Sequence, residues 1–122
     1  MDVYSTIIQL RDDLPEEKLR ELDAIVKLLA DADYVTKIIL FGSHARSEER
    51  ADSDIDLCAL TTVRDRHPAD VAIELRMKIR KIKTIPLDLL AYNQDEFMKH
   101  VGRNSSFEHE IAKNGVVLYE RG

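Results

Sequence analysis

An α/β domain is what the order of apolar periods predicts. A helical period runs from residue 15 to 31, a strand-like run ends at Gly42, and a second such run opens on Asp54-Ile55-Asp56. Helical and strand periods then alternate to the end of the chain, the arrangement of mixed α/β domains rather than of a bundle or a sandwich.

Each element has a local reason. Pro15-Glu16-Glu17 suits a helix opening, with proline early and acids in the first turn. Leu19, Leu22, Ile25, Val26 and Leu29 follow at helical spacing. Val35 to Phe41 is a strand that Gly42 ends, and Asp54 to Leu60 is the second. Pro68 starts a helix carrying Val71, Leu75 and Ile79 on one side. Thr84 to Tyr92 reads as a short buried strand, with Leu87 to Tyr92 its regular part; Pro86 belongs near a strand start or on an edge. Asp95 to Val101 and Phe107 to Lys113 are two short helices, the second stopped by Asn114-Gly115. Val116 to Tyr119 is either a short strand or a packed tail, and Asp2 to Leu14 is a short helix against the domain or a partner.

Composition fits one small domain over residues 1–122. Apolar residues make up 44% and charged ones 34%, values of a globular cytoplasmic protein. A net charge of −5 argues against general nucleic-acid affinity, which shows as a basic face. A single cysteine, Cys58, forms no internal disulfide and reads as a core side chain. No basic-then-apolar leader and no stretch of ~20 apolar residues occurs, so neither secretion nor a membrane span is expected.

The chemistry lies in Phe41-Gly42-Ser43-His44-Ala45-Arg46, ten residues after whose Ser43 comes Asp54-Ile55-Asp56. Residues i and i+2 of a strand share a face, so Asp54 and Asp56 project together while Ile55 and Leu57 enter the core. Two adjacent carboxylates repel unless a divalent cation lies between them. Gly42 permits close backbone approach, Ser43 opens a helix whose N–H groups suit phosphate oxygens, and Arg46 is either a further phosphate contact or a surface residue. The rival calcium-loop reading fails, because Leu57 and Val63 stand where Gly and Glu are required. A third acid, Asp88, interrupts the apolar run Leu87 to Tyr92, where an unpaired carboxylate is costly.

These residues resemble the GSx10DxD signature of the polymerase β-type nucleotidyltransferases, above all the small stand-alone group called minimal nucleotidyltransferases. The resemblance implies a polymerase β-like nucleotidyltransferase fold: a small mixed sheet with helices packed mostly on one side. It implies that Gly42 and Ser43 seat a triphosphate, that Asp54, Asp56 and Asp88 hold two Mg²⁺ ions, and that Asp88 is also the base. Ser47 stands where the family commonly has Gly. Larger members add domains to hold the acceptor, whereas these 122 residues leave no room for one. The acceptor site is therefore expected on another protein.

Minimal nucleotidyltransferases of this size resemble antitoxins of type VII-like toxin–antitoxin pairs whose toxin is a helical HEPN-domain ribonuclease. By that resemblance the chain transfers AMP from ATP to a tyrosine of a HEPN-type partner in a hetero-oligomer. Two other readings stay open: a small-molecule nucleotidyltransferase, for instance of an antibiotic, and a non-catalytic antitoxin that acts by binding. The run Arg76 to Lys83, with five basic residues in eight, is a solvated helix face or a docking surface for an acidic partner or RNA. His44, His67, His100 and His109 share no metal-ligand spacing.

Overall fold

A computed structural model describes residues 3–10, 14–41, 55–103 and 106–121, the Leu10 side chain excepted. The elements run α1 (Val3–Leu10), α2 (Glu16–Ala30), β1 (Val35–Phe41), β2 (Ile55–Thr61), α3 (Pro68–Ile79), β3 (Leu87–Asn93), α4 (Gln94–Val101), α5 (Phe107–Asn114) and β4 (Val116–Glu120). Their order and kinds follow the sequence pattern. The segment before the first long helix is itself a helix, and the closing apolar run is a strand.

Among the described residues the strands form one mixed sheet in the order β3-β2-β1-β4. β1 pairs antiparallel with β2 and β4, while β2 and β3 are parallel. A parallel pair requires a crossover, and α3 supplies it. Period-2 alternation then divides the strand side chains between two layers. Ile38, Leu40, Ile55, Leu57, Ala59, Leu89 and Ala91 face a large core that also contains Leu22, Ile25 and Leu29 of α2 and Val71, Leu75 and Ile79 of α3. The opposite face carries a smaller core of Ile39, Phe41, Cys58, Leu60, Phe97 and Ile111, roofed by α4 and α5. α1 packs on α2 and β4. Three helices, α1, α2 and α3, thus lie on one side and the two short helices α4 and α5 on the other, where a cleft leaves room for a ligand.

The caps explain where the helices over that open face begin. Asn93 Oδ1 accepts from the N–H groups of Asp95 (2.9 Å) and Glu96 (3.1 Å), turning the end of β3 directly into α4. Ser106 Oγ accepts from His109 N at 3.0 Å and donates to His100 O at 2.7 Å, which opens α5 and ties it to α4. Gly115 stops α5 in the expected place, but for a different reason. Its φ is −76°, so no left-handed cap is formed. A Cβ there would lie 2.4 Å from Ile111 O and 2.5 Å from Ile39 Cγ2, so glycine lets the chain pass tightly between helix and sheet.

Candidate active site

Phe41, Asp56 and Asp88 lie in one row across the sheet. Phe41 of β1 is the register partner of Asp56 of β2, and Asp56 is the register partner of Asp88 of β3. Register partners on neighbouring strands share a face, with backbones about 4.8 Å apart. All three line a cleft of about 400 Å³ with Leu90, Phe107, Glu110, Ile111 and Asn114. Its floor is the strand row and its wall is α5.

The sequence brings Asp56 there by alternation: Ile55 and Leu57 are buried at 3% and 0% on the other face, so Asp56 must point to the open one. Asp88 follows the same rule between Leu87 and Leu89. Among the described residues β3 is an edge strand rather than a buried one, and the Asp88 side chain is 61% exposed. No burial penalty marks this residue out. Its place opposite Asp56 does.

Arg76, from the run read as a solvated face, turns back to that edge. One of its Nη2 hydrogens is donated to Leu89 O at 2.7 Å, and the same nitrogen lies 3.9 Å from Asp88 Oδ1. The interaction with the exposed carboxylate is weak, but the hydrogen bond ties α3 to the backbone of β3 beside Asp88. The turn leading into β3 is fixed from the other side by Glu21. Its carboxylate accepts from Thr84 N at 2.7 Å, Thr84 Oγ1 at 2.5 Å and Ile85 N at 2.8 Å. Burial pushes the Glu21 pKa up, but these hydrogen bonds outweigh it and hold the carboxyl below its ordinary value.

Gly42, Ser43, His44, Arg46 and Asp54 lie outside the described residues. The described residues that flank them, Phe41 and Ile55, are in the Phe41–Asp56–Asp88 row or next to it. Cys58 sits under the same face but is inert: burial, with the Glu108 carboxylate nearby, pushes its thiol up to about 12. His67 caps α3 through Nδ1, which accepts from Ala69 N at 3.0 Å. His109 Nδ1 contacts Val101 O at 2.8 Å. Neither histidine reaches the cleft. Sequence reading did not single out Phe107, Glu110 and Asn114, although their spacing on one short helix was visible.

Carboxylate oxygens from neighbouring strands, at the mouth of a solvent-connected cleft, form a donor set that fits a hard dication such as Mg²⁺. Among the described residues no helix is long and apolar enough to cross a membrane.

The sequence model of the family described as "Polymerase beta, Nucleotidyltransferase" matches residues 23–122. A protein of Methanocaldococcus jannaschii, named as a candidate protein adenylyltransferase, is 31% identical over 85 residues, covering 70% of this chain and 79% of the relative. The crystal structure of a candidate nucleotidyltransferase from Sulfolobus solfataricus superposes with a TM-score of 0.55 at 15% identity, over 98% of this chain and 85% of that one. That likeness is one of fold. A tri-AMPylated Shewanella oneidensis HEPN toxin in complex with an MNT antitoxin matches more loosely, with a TM-score of 0.44 at 23% identity over 85% and 72% of the two chains. The matched length, reaching from within α2 to the C-terminal strand and taking in the carboxylate row, establishes that the chain belongs to the polymerase β nucleotidyltransferase family.

Proposed function

We propose that this chain transfers AMP from ATP to a tyrosine hydroxyl of a HEPN-type partner protein and thereby acts as its antitoxin. The observation that carries the reading is the pairing of Asp56 with Asp88 in one cleft at the end of the strand preceding Gly42-Ser43. The protein adenylyltransferase name of the 31% identical relative supports a protein acceptor. The exposure of Asp88 on an edge strand supports it too, because a side chain carried on another protein can reach that edge.

In this reading Asp54, Asp56 and Asp88 hold Mg²⁺, and Gly42-Ser43 with Arg46 seat the outer phosphates. The metal supplies neutralisation of the charge that builds on the attacking and leaving oxygens. Asp88 takes the acceptor proton as the tyrosine oxygen bonds to the α-phosphorus. The bond from that phosphorus to the bridging oxygen breaks, and pyrophosphate leaves. A tyrosine with a pKa near 10 is a weak nucleophile at neutral pH, so a positioned carboxylate has a clear task. Arg76, bonded to the next residue's carbonyl, keeps the Asp88 segment of the edge in place. The test is incubation with ATP labelled on the α- or the γ-phosphate and the partner. α-Label on a partner tyrosine, without γ-label, supports the proposal; label only in a small molecule, or none, contradicts it.

A further inference from the structure

α3 carries apolar side chains on two sides. Val71, Leu75 and Ile79 are buried in the large core, as a helix packed on a sheet requires. Ile73 and Met77, one turn apart, are 51% and 64% exposed on another side, outside both cores. They line a groove of about 420 Å³ that reaches from α3 to Leu87 at the start of β3. Arg76, Arg80 and Lys83 line it too, so apolar surface and three cations share one depression. A second depression of about 310 Å³ shares Ile73 and Arg76 with the first and follows β3 from Leu89 to Tyr92.

Charge sets this surface apart. The run Arg76 to Lys83 holds five of the chain's 18 basic residues and none of its 23 acidic ones, in a protein of net charge −5. A helix face that is only solvated has no use for two exposed apolar side chains among its cations. A docking surface does, since contiguous exposed apolar groups mark interaction sites and Met and Arg are enriched where proteins meet. The cations then select what docks. A second copy of this chain, related by a two-fold axis, would set cations against cations. A nucleic-acid backbone offers phosphates to the three cations but nothing apolar to Ile73, Met77 and Leu87. An acidic amphipathic segment of another protein satisfies both kinds of group.

The groove also adjoins the carboxylate row. Leu87, at one end of it, precedes Asp88, and Arg76 Nη2 lies 3.9 Å from Asp88 Oδ1. We propose that the AMP-accepting partner docks in this groove through an acidic amphipathic segment, with apolar side chains on Ile73 and Met77 and carboxylates toward Arg80 and Lys83. This rests on the reading of a protein acceptor and names the surface that receives it. Docked there, the partner is held next to the edge on which Asp88 is exposed.

The experiment is calorimetric titration of the whole chain with the HEPN-type partner, with AMP transfer and ATP·Mg²⁺ affinity measured in parallel. Met77→Asp and Arg80→Glu should each weaken partner binding by about 10- to 100-fold, the range of one interface anchor. Each should raise the KM for the partner and leave ATP·Mg²⁺ affinity and the melting temperature unchanged. Met77→Leu should bind as the wild type does, and so should Lys99→Glu, the same charge reversal on α4. Partner affinity should fall as salt rises, and Arg80→Glu should flatten that dependence. Wild-type partner affinity in both Met77→Asp and Arg80→Glu overturns the inference. So does a loss confined to binding of single-stranded RNA, or one confined to self-association in sedimentation. A wild type that does not bind the partner overturns it as well. A wild type that binds the partner but transfers no AMP contradicts the proposed activity alone, and the variants' binding still decides the docking surface.

Discussion

Asp56 and Asp88 face each other as register partners on adjacent parallel strands, with Phe41 completing their row. From adjacent strands they offer a divalent cation oxygen donors on one face of the sheet. ATP with Mg²⁺ should stabilise the wild type by mass action, and the Asp56→Asn protein much less. Thermal unfolding with and without ATP·Mg²⁺ measures both effects. Equal stabilisation of the two proteins would exclude Asp56 from metal binding.

Gly115 and Gly102 should respond oppositely to alanine. At Gly115 a Cβ meets the Ile111 carbonyl at 2.4 Å and Ile39 Cγ2 at 2.5 Å. The clash forces α5 and β4 apart, and Gly115→Ala should cost about 1–3 kcal/mol or more. At Gly102 nothing lies within 4 Å and φ is −69°. Gly102→Ala should be neutral or gain up to about 1 kcal/mol by restricting the unfolded chain. Urea unfolding of both variants checks the contrast.

Glu21 links stability to pH. Its folded-state pKa is lowered, because the hydrogen bonds from Thr84 and Ile85 outweigh the upward push of burial. Such a group contributes stability above its unfolded pKa, about 4.3, and loses it as pH falls through the lower folded value. Glu21→Gln should thus be less stable than wild type at pH 7, and the difference should fade below about pH 4. A difference that persists undiminished at pH 3 would mean that the Glu21 charge is not what holds the Thr84–Ile85 turn.

The Cys58 thiol, pushed up to about 12 by burial and by Glu108, stays protonated across the neutral range. Iodoacetamide at pH 8 should leave the native protein unmodified and AMP transfer intact, and should label Cys58 only after unfolding. Rapid modification of the native chain, read by mass spectrometry, would contradict the buried placement.

The elements most legible in the sequence were those whose period is set by one large core. Leu19, Leu22, Ile25, Val26 and Leu29 of α2 are the buried residues that their spacing picks out, and β1 spans Val35–Phe41 as read. Less legible was anything set by neighbours in space. The run around Asp88 is apolar enough to look buried, yet among the described residues β3 pairs with β2 alone, and edge position is a property of topology. Arg76 looked solvated because its acceptor, Leu89 O, belongs to a different element. The α5 wall escaped notice for the same reason: spacing gives the helix a face, and only the fold says that this face meets Asp56 and Asp88. The open-face placement of Asp56 was legible from alternation about Ile55 and Leu57, whereas Asp88 was singled out by its apolar run and the resemblance, and only the strand register sets it opposite Asp56. Gly42, Ser43, Arg46 and Asp54 rest on the motif, since they fall outside the described residues.

The most direct test of the account is the rate of AMP transfer by Asp88→Asn, measured from α-labelled ATP to the partner protein, with ATP·Mg²⁺ affinity determined in parallel. Asp88 is exposed on the edge strand, and its replacement leaves Asp56 in place opposite it. We expect transfer to fall about 10²- to 10⁴-fold, the span of a lost general base, with affinity changed far less. Transfer at near wild-type rate by Asp88→Asn would contradict the account, because the carboxylate opposite Asp56 would then not be the base.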